Sequence, residues 1–414
     1  MSIKTQREVV LGYAERPDPG FAGLSFPSKI GGRPIWIDPQ HPLRAEDVTC
    51  RVCSKPMVLL HQLYAPEDDP PEAFHRMLYV FARIDLLRLR RDSMRVFRAQ
   101  LPEENELYRS RPVESHEGSG IKEVDDLDYD DDNDNDDIEW VRRDGIEEAQ
   151  LCVICELGSE LRCPSCKVRH YCCRAHLNLD RATYCHGEIC GKPLIKPIKA
   201  LITNATHNIA KFVYPELEIM SETEVLKYNS EDSDDESEAT EAVDKHALVP
   251  VSSEKAEDSE VDVDKEFLLF QRRVSQNPSQ VIRYARTRLD DGDDDKEGAP
   301  EPLWVNEQHK PRKEDIPACE FCGASREFEF QVMPQMLGYL GIDFTSRTAL
   351  DWGTLLIYTC PNSCALPEGT HYAREFIWRQ NYSSKGIGDR YIKAATGNLD
   401  PDELVSKQFD NLDI

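Results

Sequence analysis

RPIWIDPQHPLRAEDVTCRVC (33–53) returns in a second copy as EPLWVNEQHKPRKEDIPACEFC (301–322). Trp36 aligns with Trp304 at an offset of 268, and Cys50/Cys53 align with Cys319/Cys322 at an offset of 269, so one residue is inserted between the two matches. The Gln-His pair at 40–41 aligns with the pair at 308–309. A strand-like run follows each C-x2-C: VLLHQLYAP (58–66) and FEFQVMPQM (328–336), with Gln62 opposite Gln331. A second apolar run comes next, MLYVFA (77–82) and TLLIYTC (354–360). Short unbroken runs of this kind suit strands covered on both faces. Two copies imply two pseudo-symmetric β-rich halves, each burying its open face on the other, as the units of repeat proteins do. The expected class is α+β, mainly β. Within 72–101, Leu86, Leu87, Leu89 and Met94 recur near helical spacing, which predicts a helix after the first strand.

The rest of the chain is less core-forming. It has 414 residues, enough for roughly two to three domains. Apolar residues make up 40% and charged residues 31%, lower and higher respectively than in an ordinary globular chain. The formal net charge is −27, from 77 acidic against 50 basic residues. That excludes broad nucleic-acid binding, which needs clustered Lys and Arg, disfavours an anionic membrane surface, and suits basic partners. No direct nucleic-acid partner, no membrane partner and a monomer are expected. The opening residues MSIKTQREVVLGYAERPDPG carry no apolar run ahead of a small-residue cleavage site, and no stretch reaches the ~18 apolar residues of a membrane span. Fourteen cysteines without a targeting signal then point to a reducing compartment, where cysteine pairs more often hold metal than form disulfides.

Asp-rich stretches occur at 125–137, 231–245 and 290–298. Segments this charged repel themselves and bury little, so they read as disordered acidic linkers. One register of the first places Asp128, Asp130, Asp132 and Glu139 at calcium-loop positions, but the turn glycine is Asn133 and no flanking helices are expected, so no calcium site is assigned. The predicted division is an N-terminal half at 1–115, an acidic linker at 116–150 and a metal finger at 151–191. A strand segment returning to the β-rich domain follows at 192–227, then a second acidic linker at 228–265. The C-terminal half occupies 266–380 and a tail 381–414.

The block at 152–190 reads CVICELGSELRCPSCKVRHYCCRAHLNLDRATYCHGEIC. It holds four pairs: Cys152/Cys155, Cys163/Cys166, Cys172/His176 and His186/Cys190. Zinc takes four thiolate or imidazole ligands in a tetrahedron, and short spacings deliver two ligands from one turn. About forty residues are too few for an apolar core, so metal must supply the folding energy. Alternating pairs suggest cross-bracing, with Cys152, Cys155, Cys172 and His176 on one zinc and Cys163, Cys166, His186 and Cys190 on the other. Cys185 is an alternative to His186, while Cys173 and His170 are spare. Filled sites leave no position for water, so the role is structural. A third site is expected where Cys319/Cys322 and Cys360/Cys364 flank two strands that would bring their ends together if paired. Cys50/Cys53 lack such a second pair, since the equivalent run ends in FARIDLL. They read as a remnant, a redox-silent pair or ligands shared across the halves.

The central block resembles the MYND-type zinc finger, down to the YC-x3-H step at Tyr171–His176. Many such fingers carry Asp-Trp after that step; here Asp180 is followed by Arg181. Taken with FPSKIGGRPIWI (26–37) and CEFCGASREFEFQVMPQML…DWGTLLIYTC (319–360), the chain resembles the programmed cell death protein 2 family. That resemblance implies a dedicated chaperone for a newly made small-subunit (40S) ribosomal protein of the universal S-five type, acting in ribosome biogenesis in cytoplasm and nucleus. The charge agrees: a carrier at −27 can hold a basic client and keep RNA away. Exposed strand edges could also add a client segment as a further strand. Gln62, Tyr64, Gln331 and Met333, on the strands expected to line a cleft between the halves, are the candidate client contacts. Trp36 and Trp304 read as core anchors. Two other classes compete. A finger-bearing lysine methyltransferase would need cofactor motifs that are absent from the sequence, as are P-loop and G-x-G-x-x-G patterns. No enzyme activity is therefore expected. A transcriptional scaffold docking Pro-rich peptides would leave the repeat unexplained.

Overall fold

A computed structural model describes residues 9–18, 20–21, 25–51, 54–83, 93–112, 138–183, 186, 190, 213–225, 264–286, 301–342 and 350–382. The apolar runs form strands with both faces covered. Strand β3 (Val58–Tyr64) is buried except at its last residue, and β4 (His75–Ala82) is buried throughout. Around them lie β1 (Val10–Glu15), β2 (Lys29–Ile30) and β5 (Met94–Leu101), with β6 (Tyr108–Pro112) and β7 (Ile138–Arg142) following in sequence. Next come β8 (Leu161–Arg162), β9 (His170–Tyr171) and β10 (Leu217–Thr223). The second copy contributes β11 (Gln280–Tyr284), β12 (Glu327–Val332), β13 (Thr354–Thr359) and β14 (Ala373–Gln380). The described α-helices are α1 (Arg174–Thr183) and α2 (Lys265–Gln276). The class is mainly β, as expected.

Ten strands close into one antiparallel barrel in the order β1-β10-β2-β3-β4-β5-β14-β13-β12-β11. The halves meet at two seams, β5 against β14 and β1 against β11. Closure pairs each barrel strand on both sides, so the open strand edges expected between the halves are not found among the described residues. Each copy exposes an apolar strand face, and one continuous sheet buries both faces in a shared interior. That interior holds Leu60, Leu78, Val80 and Val96 from the first copy with Phe330, Val332, Leu355 and Ile357 from the second.

The repeat extends to hydrogen bonds. Gln62 Oε1 accepts from Ile35 N at 2.9 Å, and Gln331 Oε1 accepts from the equivalent Leu303 N at 2.7 Å. Asp38 Oδ1 accepts from Gln40 N at 2.9 Å, and Asn306 Oδ1 accepts from Gln308 N at 2.8 Å. Both copies carry the same bulge: the register slips between Leu59 and His61 in β3 and between Phe328 and Phe330 in β12. A bulge re-aims a side chain. Here the bulged residue is Leu60 in one copy and Glu329 in the other.

Glu329 anchors a buried ionic layer between the copies. Arg76 of β4 donates from Nη1 and Nη2 to its two carboxylate oxygens at 2.6 and 2.7 Å. Arg286 lies 3.2 Å from Glu329 and 2.9 Å from Glu67. Burial alone would raise the Glu329 carboxyl, but Arg76 and Arg286 hold it well below the usual carboxylate range. At the β5–β14 seam, Arg98 and Arg326 grip Glu375 at 2.9 and 2.8 Å.

Two local expectations fail. The helix expected after the Leu78–Phe81 strand does not take in Met94, which opens β5 and packs in the next barrel strand; Leu86, Leu87 and Leu89 lie outside the described residues. The stretch 116–150 is not linker throughout: β7 pairs with β6, and Trp140 sits edge-on to His75 with ring centroids 4.4 Å apart.

Candidate metal centres

One turn recurs four times. At Cys50, Cys152 and Cys319 the backbone N–H donates to the carbonyl five residues on, and at Cys163 to the carbonyl six on, at 2.8–3.0 Å. The N–H of the residue four positions after each cysteine returns a 2.9 Å bond to that cysteine's carbonyl. These closing residues, Ser54, Glu156, Lys167 and Gly323, all adopt positive φ, from 55° to 75°. Such a turn presents two thiols of a C-x2-C on one side.

Three of the four turns meet a second pair. Cys152, Cys155, Cys172 and His176 form one tetrad, Cys163, Cys166, His186 and Cys190 a second, and Cys319, Cys322, Cys360 and Cys364 a third. In the first, Cys155 Sγ is 3.6 Å from Cys172 Sγ, and His176 Nδ1 is 3.2 Å from Cys172 Sγ. In the second, Cys163 Sγ lies 3.5 Å from Cys190 Sγ and 3.2 Å from His186 Nε2. In the third, Cys319–Cys364 and Cys322–Cys360 span 3.6 and 3.5 Å. Metal–thiolate bonds of about 2.3 Å imply tetrahedral edges of about 3.7 Å, so these donor sets fit one four-coordinate ion each. The first two tetrads interleave, taking alternate pairs. Cys173 stands beside the first tetrad, and Cys185 lies outside the described residues.

Local electrostatics favour one thiolate in each tetrad, at Cys152, Cys163 and Cys322, while burial and the neighbouring thiols raise Cys155, Cys172, Cys190, Cys360 and Cys364. Burial raises the Cys163 thiol, but the Cys166 amide, His186 and the Ser165 amide bring it down to about 5. The Ala324 amide, against burial and with the neighbouring thiols, draws Cys322 down to about 7. A lowered thiol is readier to bind a cation.

The third tetrad arises from strand pairing. β12 and β13 are antiparallel with Glu327 opposite Thr359, which brings the turn before β12 to the end of β13. Arg98 and Gln100 of β5 donate to the Cys364 carbonyl, each at 3.3 Å, tying the first copy to this centre. In the first copy, Val58 faces Ala82 as Glu327 faces Thr359, so Arg83 follows where Cys360 stands. Its Nη1 donates to the Pro56 carbonyl at 2.6 Å, so a guanidinium braces the chain where the second copy places a thiol. Cys50 is fully buried and belongs to no donor group among the described residues, and Cys53 lies outside them.

The block that carries the first two tetrads is part of the core. Cys152, Ile154, Leu157 and Tyr171 pack with Trp36, Leu59, Tyr79 and Phe97 on the outer face of β3–β5. Trp36 Nε1 donates to the Glu156 carbonyl at 2.8 Å, and Gly158 N to the Leu43 carbonyl at 2.8 Å. Asp180, buried, accepts from Tyr171 Oη at 2.6 Å and from Arg169, joining α1 to β9.

The candidate client residues are placed differently from the expectation. Gln62, Gln331 and Met333 are buried, the glutamines spent on the loops that carry Trp36 and Trp304, and so form no client surface. Tyr64 is half-buried, stacked on Phe26 and 3.0 Å from His75 Nδ1. Sequence reasoning missed a clasp across the halves: Asp38 Oδ2 lies 2.9 Å from His41 Nδ1 and 3.0 Å from His371 Nδ1. The two rings stack 3.6 Å apart and nearly parallel, which sets their Nδ1 atoms side by side on the carboxylate. The only signal in the sequence is the repeated Gln-His pair, and His371 has no marker.

Family models for the N-terminal and C-terminal domains of programmed cell death protein 2 match residues 8–115 and 264–381. Programmed cell death protein 2 of Bos taurus is 34% identical over 388 residues, covering 92% of this chain and 98% of the relative. The mouse programmed cell death protein 2-like protein is 27% identical over 380 residues, covering 84% and 88%. A Schizosaccharomyces pombe protein named "Probable 20S rRNA accumulation protein 4" is 32% identical over 119 residues, 28% of each chain. No solved structure matches.

Proposed function

The chain belongs to the programmed cell death protein 2 family, and from that premise we propose that it is a non-enzymatic, monomeric chaperone of ribosome biogenesis. It binds a newly made basic protein of the small subunit, of the universal S-five type, in cytoplasm and nucleus, and releases it to the assembling particle. The observation that carries this reading is kinship with a relative named for 20S rRNA accumulation. The net charge of −27 supports it, since a polyanionic carrier attracts a basic client and competes with RNA phosphate for it.

In the same reading all three tetrads hold zinc, because two sets of three thiolates with one imidazole and one set of four thiolates, at these separations, suit a tetrahedral d10 ion. Cys152, Cys155, Cys172 and His176 with Cys163, Cys166, His186 and Cys190 would form a MYND-type finger, and Cys319, Cys322, Cys360 and Cys364 a third structural site. Four protein donors per ion leave no place for water, so the metal supplies folding energy rather than chemistry.

The test is affinity capture of the full chain from cells, with and without ribosomes arrested in synthesis. One small-subunit ribosomal protein should dominate, including as a nascent chain, and depletion of the chain should raise 20S rRNA precursor. Chromatin factors with no ribosomal protein would replace this reading with a scaffold that docks Pro-rich peptides on the finger. Methyl transfer from S-adenosylmethionine would replace it with an enzyme.

A further inference from the structure

A ten-stranded barrel is wider than the eight-stranded kind that side chains just fill. Among the described residues this one is packed on one side and leaves a cavity on the other. Residues of β1 and β10 and the residue after β3 line it, among them Gly12, Ser221 and Ala65. Gly12 pairs with Ser221 and with Ile282, and a Cβ at Gly12 would come within 2.9 Å of Ile219 and 3.0 Å of Ile282, so the glycine lets both isoleucines pack against the β1 backbone and Ser221 is the small side chain beside them. The space left is a cavity of about 530 Å3, within the range of ligand sites.

Its chemistry is divided by depth. Leu63, Ile219 and Ile282, all buried, form apolar walls. Above them stand Tyr284, Arg286 and Glu67, whose charges are matched: Arg286 lies 2.9 Å from Glu67 and 3.2 Å from Glu329. The rim carries Asp68 and Asp69, both exposed. The mouth thus has an apolar throat, a neutralised ionic collar and a negative lip. β10 and β11 end here, at Thr223 and Tyr284 opposite Val10, and acidic stretches at 231–245 and 290–298 follow them in sequence.

We infer that the barrel mouth is the docking point for a basic segment of the partner, which inserts one apolar side chain between Leu63, Ile219 and Ile282 and sets flanking Lys or Arg on Asp68 and Asp69. The inference rests on the reading of the protein as a carrier of a basic client, and it places that client's anchor. The apolar insertion supplies affinity and the acidic lip supplies attraction and selectivity. A cation alone would find no unpaired charge in the collar, and an apolar residue flanked by acids would be repelled at the lip.

The experiment titrates full-length, metal-loaded protein against a short fluorescent peptide of lysines around one phenylalanine, and against the same peptide with alanine in its centre. Ser221→Trp fills the throat, and Asp68→Lys reverses the lip. Ser221→Trp should weaken the phenylalanine peptide roughly tenfold and leave the alanine peptide unchanged, whereas Asp68→Lys should weaken both. Wild-type affinity for the phenylalanine peptide in both variants, or equal wild-type affinity for the two peptides, overturns the inference. Asp68→Lys, on an exposed lip, keeps the test intact if the tryptophan variant does not fold. Capture from cells separates this from the broader reading. A small-subunit ribosomal protein retained equally by wild type and both variants sinks the mouth and leaves the carrier standing. Its absence from the wild-type capture sinks the carrier itself.

Discussion

The two copies of the repeat use the same cysteine turn for different ends. In the second, Cys319/Cys322 meet Cys360/Cys364 within the copy, and the outer face beside them carries a small cluster of Phe328, Leu356, Tyr358 and Phe376 under Trp304. In the first, Arg83 replaces the second pair, and an inserted module with two tetrads of its own covers the outer face through Trp36, Tyr79 and Phe97. The difference teaches where each copy keeps its candidate metal donors. The second holds its tetrad beside its own strands; the first has two tetrads in an insertion. Two copies of one sequence pattern thus differ in what their outer faces can lose.

Breaking the metal support should have the largest effect, and an unequal one. Cys360→Ser removes a donor at the end of β13, a central strand of the second copy tied to β5 across the seam. We expect loss of the cooperative melting transition or a drop on the order of several kcal/mol, with metal content by native mass spectrometry falling from three ions to two. Cys163→Ser removes the second tetrad of the finger instead. It should also leave two ions, yet the barrel should still melt cooperatively, because no barrel strand ends at that site. Equal damage from the two changes would erase the distinction between built-in and inserted support.

The ionic layer tests whether the copies are one folding unit. Glu329→Gln leaves Arg76 and Arg286 facing a neutral group in a buried setting, which should cost about 3–5 kcal/mol in urea unfolding. Exchanging Arg76 and Glu329 together for leucines should recover most of that loss. A single variant that unfolds in two separate steps would show halves that fold independently.

The outer faces can be compared by tryptophan removal. Trp36 is 3% exposed and roofed by the finger, so Trp36→Ala should cost about 3–5 kcal/mol. Trp304 is half-buried with the Lys310 ammonium 5.1 Å from its ring centre, and Trp304→Ala should cost roughly half as much. Both are read from thermal melts, and equal costs would mean that the finger adds no packing to the first copy.

These contrasts mark what was legible in the sequence. The repeat, the buried strands and the ligand pairs were readable because each depends on residues close together in the chain. Gln62 and Gln331 were correctly paired with each other but given the wrong role, since only the folded loops show that Ile35 and Leu303 claim them. Barrel closure was not legible, because seams such as β5 with β14 join strands some 275 residues apart and leave no periodic trace. Nothing in the sequence marks Arg76 and Glu329 as partners, since they meet only inside the closed barrel, 253 residues apart in the chain. The clasp of Asp38 with His371 is hidden for the same reason. β7 was masked by the Asp run before it, and only Trp140 against His75 marks it as core.

The smallest expected effect concerns a position where the copies differ by one side chain. His61 and Phe330 are equivalent, two residues past Leu59 and Phe328 at the shared bulge, and meet edge to face at 5.7 Å. His61 is fully buried, with neither ring nitrogen hydrogen-bonded among the described residues. Burial pushes its pKa down to about 3 from an ordinary 6.5. The unfolded chain therefore takes up a proton below pH 6.5 that the folded chain refuses until about pH 3. The stability this neutral ring contributes is fully present above pH 6.5 and is lost as pH falls through that window. Between pH 7 and 5.5 the loss is about 1 kcal/mol for one such group. His75, pushed down to about 4 by burial, adds a comparable share. His61→Phe, which makes the two copies alike at this one position, should reduce the pH slope of the urea midpoint by that one share while the His75 share persists. An unchanged slope would show that His61 accepts a proton in the folded barrel and that the equivalence with Phe330 has no electrostatic consequence.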